Sequence, residues 1–387
     1  MSARLQTLLD EGVASGIFPG AAALVLRGGE CLFEGAAGDA TARTLFDLAS
    51  LTKVMCTTAA FLSLWGEGKL EPDTPVARYG PDSAAGRAGV TFGDLLYHRA
   101  GLPAFRPFFA PVMREEPRLF ARDCDPARRA AARRAVVDQA LATPPAEPPR
   151  ARAVYSDVGF LVLGELLSVA AGVPLDALFA ERVAAPLGLA ARFRRLSAPP
   201  AGPEPATIAS TGATRPREAA PGQEGLWAPI GPYPSAPGEV DDDNAWAMDG
   251  VAGHAGLFGT VGDVAAFGRA VLDELAGAGR VAPGGLWERA LRRDGETPGS
   301  SRALGFDTRL PGDAPAGSSA GRLLGARPPG AVGHLGFTGT SVWIDRARGL
   351  VVALCTNRTA RGRAETRIRA FRPRFHDAVV EGLGHGA

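Results

Sequence analysis

Residues 341–357, SVWIDRARGLVVALCTN, decide how the rest of the chain is read. Two runs rich in β-branched and apolar residues flank the turn Arg346-Ala347-Arg348-Gly349, the pattern of two short strands joined by a tight connection. Near the other end, residues 20–38, GAAALVLRGGECLFEGAAG, repeat that pattern around Arg27-Gly28-Gly29. Hairpins at both ends of a chain bury their apolar faces most simply by pairing in one antiparallel sheet. Leu5, Leu8, Leu9 and Val13 recur at helical spacing before the first hairpin, and a second amphipathic helix is expected over about 364–383. These terminal helices would cover the sheet.

Between the hairpins the patterns are mostly helical. Residues 47–68 predict a helix, and the run from Val158 to Ala171 predicts another, stopped by Gly172 and Pro174. Thr260 and Asp263 form a capping pair ahead of DVAAFGRAVLDELAG. Residues 197–243 are rich in Pro, Gly and Ala without periodicity, which marks a functional loop or a disordered one. The expected fold class is α/β of the α+β type, one unit over 1–387. An antiparallel α/β lobe would come from 1–49 and 260–387, and a helical lobe with a long loop from 50–259 would be inserted in it.

The chain has 387 residues, 46% hydrophobic and 21% charged, with a net charge of +1. That mix buries a core and excludes a disordered chain. The balance of 42 basic against 41 acidic residues gives no bulk electrostatic reason to expect nucleic acid or an anionic membrane as partner. The basic run at 122–134, RDCDPARRAAARR, lacks interleaved aromatics and reads as a solvated helix face. The most apolar stretch, around 158–175, is broken by Glu165 and Pro174, short of the roughly 18 residues a membrane span needs. The N-terminal residues lack the pattern of a secretory leader, so a cytoplasmic location is expected. Cys31, Cys56, Cys124 and Cys355 are scattered without paired spacing and read as buried thiols.

Two of the 42 basic residues are lysines, Lys53 and Lys69, and the other 40 are arginines. Lys53 closes Ser50-Leu51-Thr52-Lys53 at the start of a helix, so Ser50 and Lys53 share one face. A serine hydroxyl attacks only if a base takes its proton. A buried lysine can serve, whereas arginine stays protonated. Lys69 sits in a Gly/Pro-flanked turn and reads as a surface residue. Tyr155-Ser156-Asp157 precedes the apolar helix; Tyr155 near a lysine could accept a proton, since positive charge favours the phenolate, or the segment could simply cap the helix. His334-Leu335-Gly336-Phe337 leads into the SVWID strand, either as a glycine turn or as a place where backbone N–H groups meet a ligand.

In that order the three elements resemble the serine β-lactamase and penicillin-binding-protein superfamily, closest to its class C-like branch of esterases, D-amino-acid peptidases and related serine hydrolases. LLYHRAGLP at 95–103, GVAGHAGLFGTVGDVAAF at 250–267 and HLGFTGTSVWID at 334–345 resemble further segments of that branch. The resemblance covers nearly the whole chain and implies a β-lactamase/transpeptidase-like fold. It implies Ser50 as acyl-forming nucleophile, Lys53 as its proton partner and Tyr155 as a second acid/base. Backbone N–H groups of Ser50 and Phe337 would bind the oxyanion, with Gly336, His334 and Asp157 on the substrate side. His98 would be structural, and His254 receives no role.

Two positions depart from the family. Asp157 stands where the family has Asn, and a carboxylate there would favour the lysine's charged form and leave more of the work to Tyr155. His334 and Leu335 stand where β-lactamases carry Lys and a hydroxyl residue, and would hold a substrate carboxylate less well. The expectation is a serine hydrolase acting on a small ester, amide or peptide, with an ester favoured. D-amino-acid peptidase, amidase or β-lactamase activity is the alternative, and a silent ligand-binding protein on the same fold is a further one. No cofactor is implied, His98, His254 and His334 lack the spacing of metal ligands, and nothing in the sequence fixes an oligomeric state.

Overall fold

In the computed structural model, residues 1–119, 124–198, 207–219, 222–223, 225, 230–309 and 319–384 are described. Helix α1 (Ser2–Ala14) leads into strands β1 (Gly20–Arg27) and β2 (Glu30–Gly38). Gly28 and Gly29 make the hairpin turn with φ of 57° and 92°, a backbone region that glycine enters without steric cost. Strands β3 (Asp307–Thr308), β4 (Ala331–Leu335), β5 (Ser341–Asp345) and β6 (Leu350–Thr356) follow near the C-terminus. The six strands form one antiparallel sheet in the order β2-β1-β6-β5-β4-β3. The two ends of the chain therefore meet as the hairpin patterns imply, Ala21 opposite Thr356 through Arg27 opposite Leu350.

Side-chain alternation along these strands splits the core into two layers. Ala21, Ala23 and Val25 point with Trp343, Val352 and Leu354 toward α1 and the C-terminal helix α6 (Ile368–Gly382), where they meet Leu5, Leu9, Phe371 and Phe375. Ala22 and Leu24 point with Val342, Ile344, Val351 and Ala353 toward the larger core of the helical region. The central strand β6 is buried along its whole length, so its sequence reads as a continuous apolar run. Helix α5 (Val261–Leu275) opens on the Thr260/Asp263 capping box and lies against this second face. A Cβ on its Gly268 would stand 2.5 Å from a Val351 methyl carbon, so α5 approaches the sheet as closely as backbone allows.

Helices α2 (Ala59–Gly66), α3 (Pro126–Ala142) and α4 (Asp157–Ala171) lie in the helical region with several shorter ones. The expected helix over 47–68 begins later. Phe46–Asp47 form a short strand against Leu257–Gly259, Ala49 takes a left-handed φ of 47°, and helical turns begin at Leu51. The Asp47 carboxylate accepts the Ala49 N–H at 2.7 Å, fixing a turn where the helix was expected to continue. The basic run 122–134 lies on the start of α3, apart from 122–123 outside the described residues, and Arg128 there is exposed. Of the 197–243 segment, 199–206, 220–221, 224 and 226–229 lie outside the described residues; Thr214–Arg215 and Tyr233–Pro234 pair as a small ribbon.

Cys56 and Cys355 are buried thiols as expected, whereas Cys31 is exposed and Cys124 half-buried. Cys31 fails the expectation because it stands on the edge strand β2, where alternate residues face solvent. Among the described residues no single helix is long and apolar enough to cross a membrane.

Trp343 is 1% exposed at the middle of β5 and fills the layer between the sheet and the terminal helices. Trp343→Ala is expected to lower the unfolding free energy by about 3–5 kcal/mol, read as a lower urea midpoint at unchanged slope.

Candidate active site

The turn at Asp47–Ser50 is held from both sides. The Thr338 and Thr340 hydroxyls, on the connection between β4 and β5, donate to the carbonyls of Asp47 and Leu48 at 2.8 and 3.0 Å. Asp47 also accepts the Asp241 N–H at 2.6 Å. Burial pushes the Asp47 carboxyl up to about 7, the neighbouring charges of Asp241 and Asp242 adding to the rise and the two backbone N–H groups opposing it. Ser50 follows this turn immediately, so its side chain projects from a fixed point ahead of the helix.

Lys53, one turn later, is fully buried. Its ammonium donates to Ser50 Oγ at 2.9 Å, Asp157 Oδ1 at 2.7 Å and the His254 carbonyl at 3.0 Å. Each N–H has one acceptor, so the group is satisfied as a cation. Burial works against that charge, but the Asp157 carboxylate and Tyr155 outweigh it, and the Lys53 pKa lies above the ordinary lysine value. The Tyr155 ring lies beside this cation, its centroid 4.9 Å from Lys53 Nζ. Burial raises the Tyr155 pKa by more than the Lys53 charge lowers it. The protonated phenol is thus favoured: the lysine's charge is present, but desolvation of the phenolate is the stronger effect.

Asp157 opens α4, capped by Ser156, whose Oγ accepts the Gly159 N–H at 3.0 Å. His98 holds this segment in place. Its carbonyl accepts the Val154 N–H at 2.8 Å, its Nδ1 accepts the Ser156 N–H at 3.0 Å, and its ring lies 4.7 Å from that of Tyr155. Because Nδ1 accepts, a neutral His98 carries its proton on Nε2. The His254 carbonyl reaches Lys53 because α4 and the 250–256 loop touch through backbone. A Cβ on Gly253 would stand 2.3 Å from the Phe160 carbonyl oxygen, and one on Gly164 would stand 2.7 Å from Gly253 Cα. Gly164, inside the apolar helix, is therefore a contact point. His254 Nε2 pairs with Asp242 Oδ1 at 2.9 Å, and burial of Asp242 is outweighed by His254 and the Ala245 N–H, which hold its carboxyl well below the usual range.

On the sheet side, His334 is buried at the end of β4, and its Nδ1–H donates to the Leu335 carbonyl at 2.9 Å. Burial first, then the charges of Lys53 and Arg302, hold its pKa well below the usual imidazole range, so it is the neutral group expected from the sequence. Gly336 packs against the turn ahead of Ser50. Its N–H donates to the Thr340 carbonyl at 2.7 Å, and a Cβ there would stand 1.9 Å from Thr340 Oγ1 and 2.6 Å from the Leu48 carbonyl. It permits close packing on the turn before Ser50 instead of offering a donor. Arg372 of α6 fixes the same loop, donating to the Gly336 and Thr340 carbonyls at 2.7 Å each. Among the described residues, neither the Ser50 nor the Phe337 N–H donates to a protein acceptor.

These groups open on a pocket of about 320 Å3. Ser50, Tyr155, Asp157, His334 and Phe337 line it, with Phe105 from the 102–120 segment and Gln223, Asp241 and Asp242 from the 197–243 segment. Arg302 lines it too, ion-paired to Asp307 and with its guanidinium carbon 5.1 Å from the Tyr155 ring centroid. The sequence reading missed Arg302, which carries no local motif, and gave His254 no role although its segment matched a family pattern.

A family model described as Beta-lactamase matches residues 5–372. The chain belongs to the beta-lactamase family. It is 31% identical over 333 residues to a D-alanyl-D-alanine carboxypeptidase-like protein of Escherichia coli K12, covering 82% of this chain and 70% of that protein. Among solved structures, the octameric penicillin-binding protein homologue from Pyrococcus abyssi superposes with a TM-score of 0.69 at 18% identity, covering 99% of this chain and 77% of that one. A D-stereospecific amidohydrolase from Streptomyces gives 0.61 at 20%, covering 92% and 94%. This beta-lactamase-family chain is a serine hydrolase of the penicillin-binding-protein kind.

His334 supplies a stability test. Its folded pKa lies below the unfolded value, so below that value the unfolded chain binds the extra proton and stability falls with pH. Asp47, raised in the fold, acts in the opposite sense, stabilising as pH falls through about 7. Comparison with His334→Gln isolates the imidazole. Below about pH 6.5, the wild-type unfolding free energy is expected to fall more steeply than the variant's, by about 1.4 kcal/mol per pH unit. Parallel urea-derived curves would contradict this.

Proposed function

We propose that the chain cleaves esters, and more slowly small amides, through an acyl-enzyme on Ser50. The observation that carries this reading is the 2.9 Å contact between Ser50 Oγ and the Lys53 ammonium at the pocket, with Tyr155 lining the same pocket beside Lys53. Lys53 and Tyr155 surround the attacking oxygen with groups that exchange protons. The Ser50 and Phe337 N–H groups, without protein acceptors among the described residues, are the donors for the developing oxyanion. Water then releases the acyl group.

The ester preference rests on His334 and Leu335. With its proton on Nδ1, His334 presents a bare Nε2 lone pair, and Leu335 presents an isobutyl group; neither attracts a carboxylate. Arg302 favours a second reading, hydrolysis of peptides ending in a free carboxylate. It is a guanidinium in the same pocket, on the wall next to Tyr155, and the carboxypeptidase-like relative fits such a substrate.

A panel separates the two readings. A p-nitrophenyl ester is expected to give a stoichiometric burst that Ser50→Ala abolishes; wild-type turnover in that variant would sink the mechanism. Under the ester reading, a D-alanyl-D-alanine peptide and nitrocefin turn over at least about tenfold more slowly than the ester. Under the peptidase reading, the peptide is preferred and Arg302→Gln raises its KM without raising that of the neutral ester.

A further inference from the structure

We propose that Asp157 is the terminal proton acceptor of acylation, receiving a proton from Lys53 as Lys53 takes one from Ser50. The inference rests on Ser50 being the nucleophile and concerns where its proton goes. Lys53 Nζ donates to three acceptors within 3.0 Å, so its nitrogen has no lone pair left for the serine proton. It can accept that proton only by releasing another. Two of its three acceptors cannot keep one: Ser50 is the source, and the His254 carbonyl is not basic. The third is the Asp157 carboxylate, at 2.7 Å.

The other neighbouring bases bond to neither Ser50 nor Lys53. His98 Nδ1 accepts the Ser156 N–H, Asp242 holds His254 and the Ala245 N–H, and His334 Nε2 bonds to neither Ser50 nor Lys53. The Tyr155 phenol carries its own proton. An asparagine at 157 could accept the Lys53 N–H bond but could not keep its proton.

The step balances as follows. Ser50 Oγ bonds to the acyl carbon as its proton passes to Lys53 Nζ, a Lys53 proton passes to Asp157 Oδ1, and the carbonyl electron pair moves onto the oxyanion. On collapse the leaving group departs with the Tyr155 hydroxyl proton. Tyr155 is reprotonated from Lys53, and Lys53 recovers its proton from Asp157. Deacylation repeats the relay with water as the nucleophile. Asp157 thus serves as base and Tyr155 as acid, so their loss has different signatures.

Pre-steady-state acylation is measured for wild type, Asp157→Asn and Tyr155→Phe with a p-nitrophenyl ester and the matching p-nitroanilide. Asp157→Asn is expected to slow acylation by both substrates at least about a hundredfold. Tyr155→Phe is expected to harm the anilide at least about tenfold more than the ester, since the poorer leaving group needs the acid. Acylation in Asp157→Asn as fast as or faster than wild type overturns the proposal, and so does equal damage to both substrates in Tyr155→Phe. Asp157→Ala with added formate tests the same point without the isosteric amide: formate-dependent recovery is expected, and its absence overturns the proposal. Failure of the nucleophile reading is distinct, because it shows as a burst surviving in Ser50→Ala.

Discussion

A charged lysine with no contact to water constrains this structure more than any other group. The Lys53 ammonium needs three acceptors, and they come from its own helix turn, the start of α4 and the loop after Gly253. Removing one partner of a buried charge costs about 3–5 kcal/mol, so these three segments cannot drift apart without a large penalty. The same requirement brings a serine hydroxyl and a carboxylate onto one ammonium, with the Tyr155 ring beside it. Packing and site geometry are not separate designs here, because the charge that must be satisfied for the fold to hold also sets which groups meet at the pocket.

The sheet contributes by reaching across to the Asp47–Ser50 turn. Thr338 and Thr340 tie the β4–β5 connection to the carbonyls of Asp47 and Leu48, Arg372 holds that connection through its own carbonyls, and Gly336 removes the side chain that would hold the two surfaces apart. The terminal helices matter to the site for this reason: α6 supplies the buried guanidinium that fixes the loop. The sheet pairing of the two chain ends thus has a local effect more than three hundred residues from where the chain begins.

Alternation and helical spacing made the sheet, its hairpins, the terminal helices and the capping box at Thr260 readable in the sequence, since each is a local pattern with one burial solution. Ser50, Lys53 and Tyr155 were readable because they stand in short motifs, and the lysine shortage marked Lys53 independently. The helix start at 47 was misread because the hydroxyls and backbone groups that hold Asp47 and Leu48 lie some 190 to 290 residues away. Arg302 was invisible for the same kind of reason: only the fold brings it to Tyr155. The protonation of Tyr155 depends on a contest between desolvation and a neighbouring charge, and no linear pattern reports which one prevails.

The lysine count has a practical corollary. Lys53 is sealed from solvent, while the Lys69 side chain is 42% exposed and ion-paired to Glu67 at 3.0 Å. Of the two lysine amines, reagents that seek primary amines therefore find Lys69, and the forty arginines do not compete for them. Attachment through lysine to a support or a dye would be confined to one place on the surface, and the Lys53 amine would be spared by burial alone.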